Sequence, residues 1–530
     1  MAPQFVLPRH PDPDQLKRQA KELLRSAKAG DTAALARFRQ LPALKNLGQE
    51  QFARTPLALH DAQSVLAREY GFASWKALSE HVTLLTLKFG DAVREFVEAA
   101  TDGRKDRAER LLQLHPGIVG ANLHVALVTG DAQRANAWLA KDSALVHKSD
   151  GPRGWPPLLY VCHTSLRHGS AADPDGLVAI ARQLLELGAD PDMRFPWLHH
   201  GVRRPVLWGA VHVVRYLPLA EALLQAGADA NDGVTLPLSA AAGDTAALDL
   251  LSAFGANPNQ RWASDSAVAL YAMLHWTRTS AGAYWLLEHG ADSDPVFAEN
   301  GETPLHVVAQ RWDVPLAEGL VARGADPMRK RADGRTPFAL AELNGNRAVA
   351  DWLRSHGAAT ELSAVDHLVS ACTRADRKTA ADILAAHPDL STQLGPEHYA
   401  TLYRAAEQGD LPALEALLAI GLDPNRGDEE IGKTALHCAA MEGHVDAVRM
   451  LLAHGASPCA RDREFKAPPL VWAAEGARTH QGKDAEYDRV GRLLLDAAPQ
   501  GSEWQSEEEP ADGIIEVIDR WRRTPAERPA

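Results

Sequence analysis

Short apolar stripes at helical spacing, each closed by a glycine, follow one another along most of this chain. In Ala181-Arg-Gln-Leu-Leu-Glu-Leu-Gly188 and Val448-Arg-Met-Leu-Leu-Ala-His-Gly455, a leucine-rich helix runs into a residue free to adopt positive φ, which ends it. A second helix is predicted ahead of each of these, opened by Thr-Pro-Leu-His or a worn version of it. The clearest openings are Asp333-Gly-Arg-Thr-Pro-Phe-Ala-Leu-Ala341, Asn300-Gly-Glu-Thr-Pro-Leu-His-Val-Val-Ala309 and Gly432-Lys-Thr-Ala-Leu-His-Cys-Ala-Ala440. Asp-Gly makes a tight turn and Thr caps the helix. Pro fills the first helical position, where its missing N–H costs nothing. The Gly-Ala-Asp/Asn/Ser phrase recurs at Gly188, Gly227, Gly255, Gly290, Gly324 and Gly455, with looser copies at Gly357 and Gly421. The spacing sets a unit of about 33 residues.

Turn, cap, proline, twin small residues and terminal glycine recur in phase, and together they resemble the ankyrin repeat over residues 89–500. The resemblance implies an all-α fold, an ankyrin-repeat solenoid of about twelve helix-turn-helix units with short hairpin or turn fingers and helical caps at both ends. The ninth unit, Val365 to Pro388, has no turn-and-proline opening and matches the first: Val93, Val97, Ala99, His115 and Pro116 reappear 272 residues later as Val365, Val369, Ala371, His387 and Pro388. That common phase suggests an internal duplication whose second block begins at about residue 361. Residues 1–88 lack the Gly-Ala-Asp punctuation. Leu16, Ala20, Leu23, Leu24 and Ala27 stripe one helix, Leu59, Ala62, Val65, Leu66 and Tyr70 another, and Ser74 caps a third. The segment resembles the amino-terminal helical module that precedes the repeats in some bacterial ankyrin proteins, and the open end of a solenoid needs such a cap. Residues 501–530 form an acidic tail with a short amphipathic stretch, Ile514 to Trp521, expected to cap the other end.

Composition sharpens this reading. With 56 basic and 69 acidic side chains the net charge is −13, which disfavours nucleic acid as a general partner. No run approaches the ~20 apolar residues of a membrane span, and the start, MAPQFVLPRHPDPDQ, has no apolar signal core, so a cytoplasmic monomer is expected. Cys162, Cys372, Cys438 and Cys459 are scattered and are expected to be reduced packing thiols. No Gly-x-Ser-x-Gly elbow, phosphate-binding glycine loop or Cys-x-x-Cys pair occurs, and the repeat register leaves no stretch for a separate catalytic domain. A non-enzymatic scaffold that needs no cofactor is expected. It would bind a protein partner through the concave groove and finger tips.

Histidine, at 22 copies, supplies the candidate chemistry. His306 and His437 stand in the Thr-Pro-Leu-His place, where the resemblance implies a hydrogen bond to the neighbouring hairpin. The register puts His163 and Thr164, Val211 and His212, and Gln310 and Arg311 on the inner surface. The loop Arg194-Phe-Pro-Trp-Leu-His-His-Gly201 forms the finger beside the first two pairs. Trp197, His199, His200, His163, His212 and Arg311 are therefore the candidate partner-binding residues, since Trp, Tyr and Arg dominate interface anchors. Two other readings stay open for this group: packing tryptophans with exposed polar histidines, or a metal-dependent or small-molecule activity in the Trp/His-rich groove of the third to seventh units.

Overall fold

The computed structural model describes residues 5–8, 11–45, 47–166, 172–196, 203–262, 267–277, 279–297, 300–480, 482–499, 517–518 and 521. The chain divides into two compact units, residues 1–239 with 246–257 and residues 240–245 with 258–530.

The first unit opens with helices Pro13–Lys28, Thr32–Phe38, Leu59–Glu69 and Trp75–Leu85, joined through the shorter Pro42–Lys45 and Gln49–Arg54. Asp31 caps the second of these, accepting from the Ala33 and Ala34 N–H groups. Ala20, Leu23, Phe38, Leu66 and neighbours form the module's core, and a bidentate Arg37–Glu69 pair (2.8 and 2.7 Å) ties the second helix to the fifth. Helix pairs follow: Phe89–Thr101 with Lys105–Leu114, Leu123–Thr129 with Ala132–Lys141, and Pro157–Cys162 with Pro174–Glu186. In the next pair the first member, Val206–Trp208, continues as a π-helix, Gly209–Val214, before Leu217–Gln225. Strands Arg194–Pro196 and Arg203–Pro205 pair antiparallel as a finger.

The second unit continues the pattern with Ala269–Trp276 and Ala281–Glu288, Pro304–Arg311 and Val314–Val321, Pro337–Leu343 and Arg347–Ser355, and Ala364–Thr373 and Arg377–Ala386. After these come Pro396–Gln408 and Leu411–Ala419, Ala435–Met441 and Val445–Ala453, and Pro469–Thr479 and Asp484–Ala497. The elements also recur in the 272-residue phase. The 3-10 turn Pro116–Gly120 after Lys105–Leu114 has its counterpart in Pro388–Gln393 after Arg377–Ala386, and His115 and His387 both precede it with nearly the same backbone angles (φ −130 and −138, ψ 71 and 73).

The punctuating glycines, Gly188 through Gly455, all have φ between 83 and 104, the left-handed region that ends each helix without a Cβ clash. A second device recurs four residues later. Asn425 donates its side-chain amide to the Gly455 carbonyl (2.9 Å) while its Oδ1 accepts from the Ser457 N–H (2.7 Å). Asn259 does the same to Gly290 and Asp292, and Asn231 to Gly255 and Asn257. Each asparagine thus holds successive turns in register by satisfying a helix-end carbonyl and a loop N–H together. His437 works across the same joint: its Nδ1 accepts from the Thr434 N–H (3.1 Å), so its Nε2 carries the proton and donates to the Ala467 carbonyl (3.1 Å).

Close approach between helices has its own requirement. A Cβ on Gly476, in Pro469–Thr479, would lie 2.1 Å from the Met441 carbonyl oxygen and 2.8 Å from the Tyr487 ring. Gly476→Ala is therefore expected to destabilise the second unit by about 2 kcal/mol despite alanine's better helix propensity. A urea midpoint equal to or above that of the wild type would disprove the contact.

Cys162, Cys372 and Cys438 are buried, and no described cysteine is in a disulfide. Burial pushes the Cys372 thiol up to about 12. No described helix is long and apolar enough to cross a membrane. Among the residues after 500, Trp521 is buried against Gly491 and donates its indole N–H to Asp488 Oδ1 (2.8 Å), so the tail does reach the last helix pair.

Candidate protein-binding groove

Among the described residues, the structure places His163 and Arg311 differently from what the register suggests. His163, expected on an accessible inner surface, is 1% exposed. Its ring packs against Phe195 (centroids 4.0 Å apart), Trp155 (5.7 Å) and Trp208 (6.1 Å). Nδ1 donates to the Leu159 carbonyl (2.9 Å), and burial holds the imidazole down at about 3, so it is neutral at physiological pH. The reason is backbone proximity: a Cβ on Gly209 would stand 2.4 Å from the Cys162 carbonyl oxygen and 2.5 Å from the His163 ring, so the π-helix closes over the histidine. Thr164 is buried too, donating to the Val128 carbonyl (2.8 Å). His212 is half-buried, 3.3 Å from both the Thr235 carbonyl and Ser239 Oγ. Trp197, His199 and His200 lie outside the described residues.

Arg311 belongs to the second unit. Expected on the inner surface as a partner-binding residue, it has a framework role: its guanidinium bonds the Leu274 and His275 carbonyls at the end of Ala269–Trp276, as a cation suits a helix C-terminus. Among the described residues no three His, Cys, Asp or Glu side chains gather as a metal-ligand set.

A different surface of the second unit is better formed. Helix Pro396–Gln408 is opened by Gly395-Pro-Glu-His398, a worn Thr-Pro-Leu-His with proline at the first helical position and His398 Nδ1 accepting from the Gly395 N–H (2.8 Å). Tyr399 and Tyr403 on this helix floor a cleft of about 360 Å³ whose far wall is the turn around residues 425–433. Tyr403 donates to the Arg426 carbonyl (3.1 Å), Tyr399 Oη accepts from the Asp423 N–H (3.2 Å), and the Arg426 guanidinium lies 4.3 Å over the Tyr399 ring. Asp428 shapes the turn, accepting from Ile431 and Gly432 N–H groups, and leaves Glu429 and Glu430 exposed at its tip.

A buried ion network anchors this helix. Glu302 accepts from Tyr271 Oη (2.8 Å), Gln310 Nε2 (3.1 Å) and Arg331 NH1 (3.0 Å), with His275 Nε2 at 3.2 Å. Burial would raise the Glu302 carboxyl, but the His275 and Tyr271 hydrogen bonds and the Arg331 charge outweigh it and hold it down at about 2. Arg331, 6% exposed in its side chain, also grips Glu397 (2.7 Å). Burial likewise opposes Asp366, yet His398 (2.9 Å) and Arg335 (2.7 Å) hold its carboxyl down at about 2. Arg404 donates to the Gln310 carbonyl (2.7 Å). The Arg331–Glu397 and Arg404–Gln310 contacts pass over the fingerless pair at 364–386, so the unit does more than stack each pair on the next, as a simple repeat array would.

A family-model match falls on this same part of the chain. The family model "Ankyrin repeats (3 copies)" matches residues 368–462 and 402–481. The chain is 41% identical over 58 residues to the 2-5A-dependent ribonuclease of Mus musculus, which covers 11% of this chain and 8% of that protein. It is 41% identical over 68 residues to the ARF GTPase-activating protein GIT1 of Homo sapiens, 13% of this chain and 9% of that protein. The chain thus matches less than a tenth of the length of these curated relatives. The C-terminal part of the chain carries ankyrin repeats, a module of protein–protein interaction.

Proposed function

We propose that the chain is a non-enzymatic ankyrin-repeat scaffold that binds a protein partner through the cleft between helix Pro396–Gln408 and the turn at 425–433. The observation that carries this reading is the cleft itself. The exposed Arg426 guanidinium, of a residue type that dominates interface anchors, stacks on Tyr399 above a floor of two tyrosines, each 8% exposed, on a helix that the ion network anchors. Two exposed carboxylates at the turn tip favour a partner segment bearing lysine or arginine. On this proposal the repeat register runs through both units, about twelve pairs over 89–500, with residues 1–88 and the tail as caps, in a cytoplasmic monomer. Trp197, His199, His200 and His212 supply a second contact surface in the first unit, proposed from the register alone.

The test is affinity purification from the native host, followed by titration of the recovered partner against two variant sets. Tyr403→Ala with Arg426→Ala is expected to weaken binding by about thirtyfold or more. The set Trp197→Ala, His200→Ala and His212→Ala reports on the first unit, and Glu186→Ala with Arg449→Ala serves as the outer-helix control. Equal binding by the cleft variants and the control, with the fold intact, would place the surface elsewhere.

A further inference from the structure

The amino-terminal module has a surface that capping the repeats does not use. A groove of about 710 Å³ lies among the end of helix Pro13–Lys28, helix Thr32–Phe38 and the segment from Gln49 to Leu57. Its floor is apolar: Phe52, 7% exposed, belongs to the module's core, and Leu35 and Leu57 pack half-buried against that core. Ala36 and Ala53 also line it and are exposed, so the groove is open to solvent. The module meets the first helix pair elsewhere, through helix Trp75–Leu85, where Glu80 pairs with Arg107 (2.9 Å) and the Leu84 carbonyl accepts from His115 Nε2 (2.9 Å). No residue of that helix lines the groove.

Charge says what would fill it. Residues 1–88 carry 13 lysines and arginines against 8 aspartates and glutamates, whereas the whole chain carries 56 against 69, so the module is a basic end on an acidic chain. The excess shows in the groove. Lys28 and Arg39 line it, with the Arg39 guanidinium 4.6 Å from the Phe52 ring centroid, and no lining residue is a carboxylate. Lys17, Arg18, Arg25 and Arg37 pair with Asp14, Asp12, Glu22 and Glu69, but neither Lys28 nor Arg39 has a carboxylate at ion-pair distance among the described residues. An apolar floor beside two such cations suits apolar surface flanked by negative charge, with burial supplying affinity and the charges selectivity. A small molecule would have most of its surface enclosed, which this open groove does not do. The module's described residues offer no strand edge to an extended peptide, and the groove has a single aromatic ring where proline-rich ligands use several, which leaves the helix-in-groove mode. We propose that this groove docks a helix of a partner protein whose apolar stripe is flanked by aspartates or glutamates.

Fluorescence anisotropy of labelled synthetic peptides with the full chain tests this, at about 50 mM salt so that surface charge is little screened. The probe is a designed helix of about 18 residues with leucines along one face and glutamates beside them. One companion peptide has lysine for every glutamate, and another has the same composition in an order that breaks the leucine stripe. Saturable binding is expected for the glutamate helix with a Kd below about 100 µM, and at least about tenfold weaker binding for both companions. Ala36→Glu puts a negative charge in the groove from an exposed helix position, so it should keep the melting temperature and weaken binding about tenfold or more. Lys28→Glu with Arg39→Glu should reverse the preference in favour of the lysine helix. Should loss of the Arg39 stack lower the melting temperature, Lys28→Glu alone is read, with about threefold weakening expected. Arg68→Glu makes the same charge change at an exposed site of the module outside the groove and should leave binding unchanged. The proposal is overturned by the absence of saturable binding of the glutamate helix up to about 1 mM, by equal affinity for either companion, or by equal losses from Arg68→Glu and the groove variants. Binding of single-stranded DNA or of phosphatidylserine vesicles without binding of the glutamate helix would overturn it too, and would assign the basic end to nucleic acid or membrane.

Discussion

Replacing Arg331 by alanine is expected to remove about 3 to 5 kcal/mol from the stability of the second unit, because it strands Glu302 in a site 4% exposed and releases Glu397 and Asp333. Glu302 would keep its Tyr271 and Gln310 donors and its His275 contact but lose the Arg331 guanidinium. Removing charge from both partners, as in Arg331→Met with Glu302→Gln, should be milder than the single change, since no buried charge is then left unmatched. The network also sets an acid limit. Glu302 and Asp366 titrate at about 2 in the folded chain, below their unfolded values of about 4, so the unfolded chain takes up protons first as the pH falls. Their contribution is fully present above about pH 5 and drains away between there and pH 2. Urea midpoints followed by circular dichroism across that range should fall steeply for the wild type and less steeply for Arg331→Ala. Parallel slopes, or a loss under about 1 kcal/mol at neutral pH, would remove the network from any part in stability.

Trp521→Ala should have a comparable effect at the carboxyl end, about 3 kcal/mol or more. The indole is 1% exposed, occupies the space that a Cβ on Gly491 would need (2.2 Å), and bonds Asp488. Without it, Val490 and Leu494 on helix Asp484–Ala497 lose their outer cover. Hydrogen exchange in that helix is the direct measure, and amides at 484–497 should open much faster in the variant. Gly491→Val, which evicts the ring from the other side, should reproduce the effect. Unchanged protection in both would mean that the tail adds nothing to the fold.

The helix pairs were legible because their signals are local. A cap, a proline and a left-handed glycine act on their own helix and leave residues at fixed spacing, and the glycines do take positive φ. The amino-terminal helices and the tail's apolar residues were equally legible from their stripes, Ala20 and Leu23 in one case and Trp521 in the other. The site was not legible in the same way. The register says which residues leave the inner helix, but His163 is covered by the π-helix at 209–214, whose path the repeat consensus does not contain. Arg311 looked idle only because its acceptors lie at the end of the preceding inner helix. The cleft tyrosines were within reach: Gly395-Pro-Glu-His398 carries the proline and histidine of the repeat opening in the right places, and Tyr399 and Tyr403 follow from that register. The asparagines four residues past Gly227, Gly255 and Gly421 were visible too, though their two-sided bonds are not.

The Arg404–Gln310 bond spans 94 residues, and Arg331 is paired with a glutamate 66 residues further on. During synthesis at about 5 to 20 residues per second, the helix ending at Arg311 therefore waits about 5 to 20 s for the chain that completes its surroundings. For the 66 residues of that interval between Arg331 and Glu397, Arg331 and Glu302 lack Glu397, and the 304–343 segment is a half-built wall. A ribosome stalled after residue 360 should thus carry a nascent chain far more open to protease in that segment than one stalled after residue 460, a difference that strictly neighbour-to-neighbour stacking would not produce.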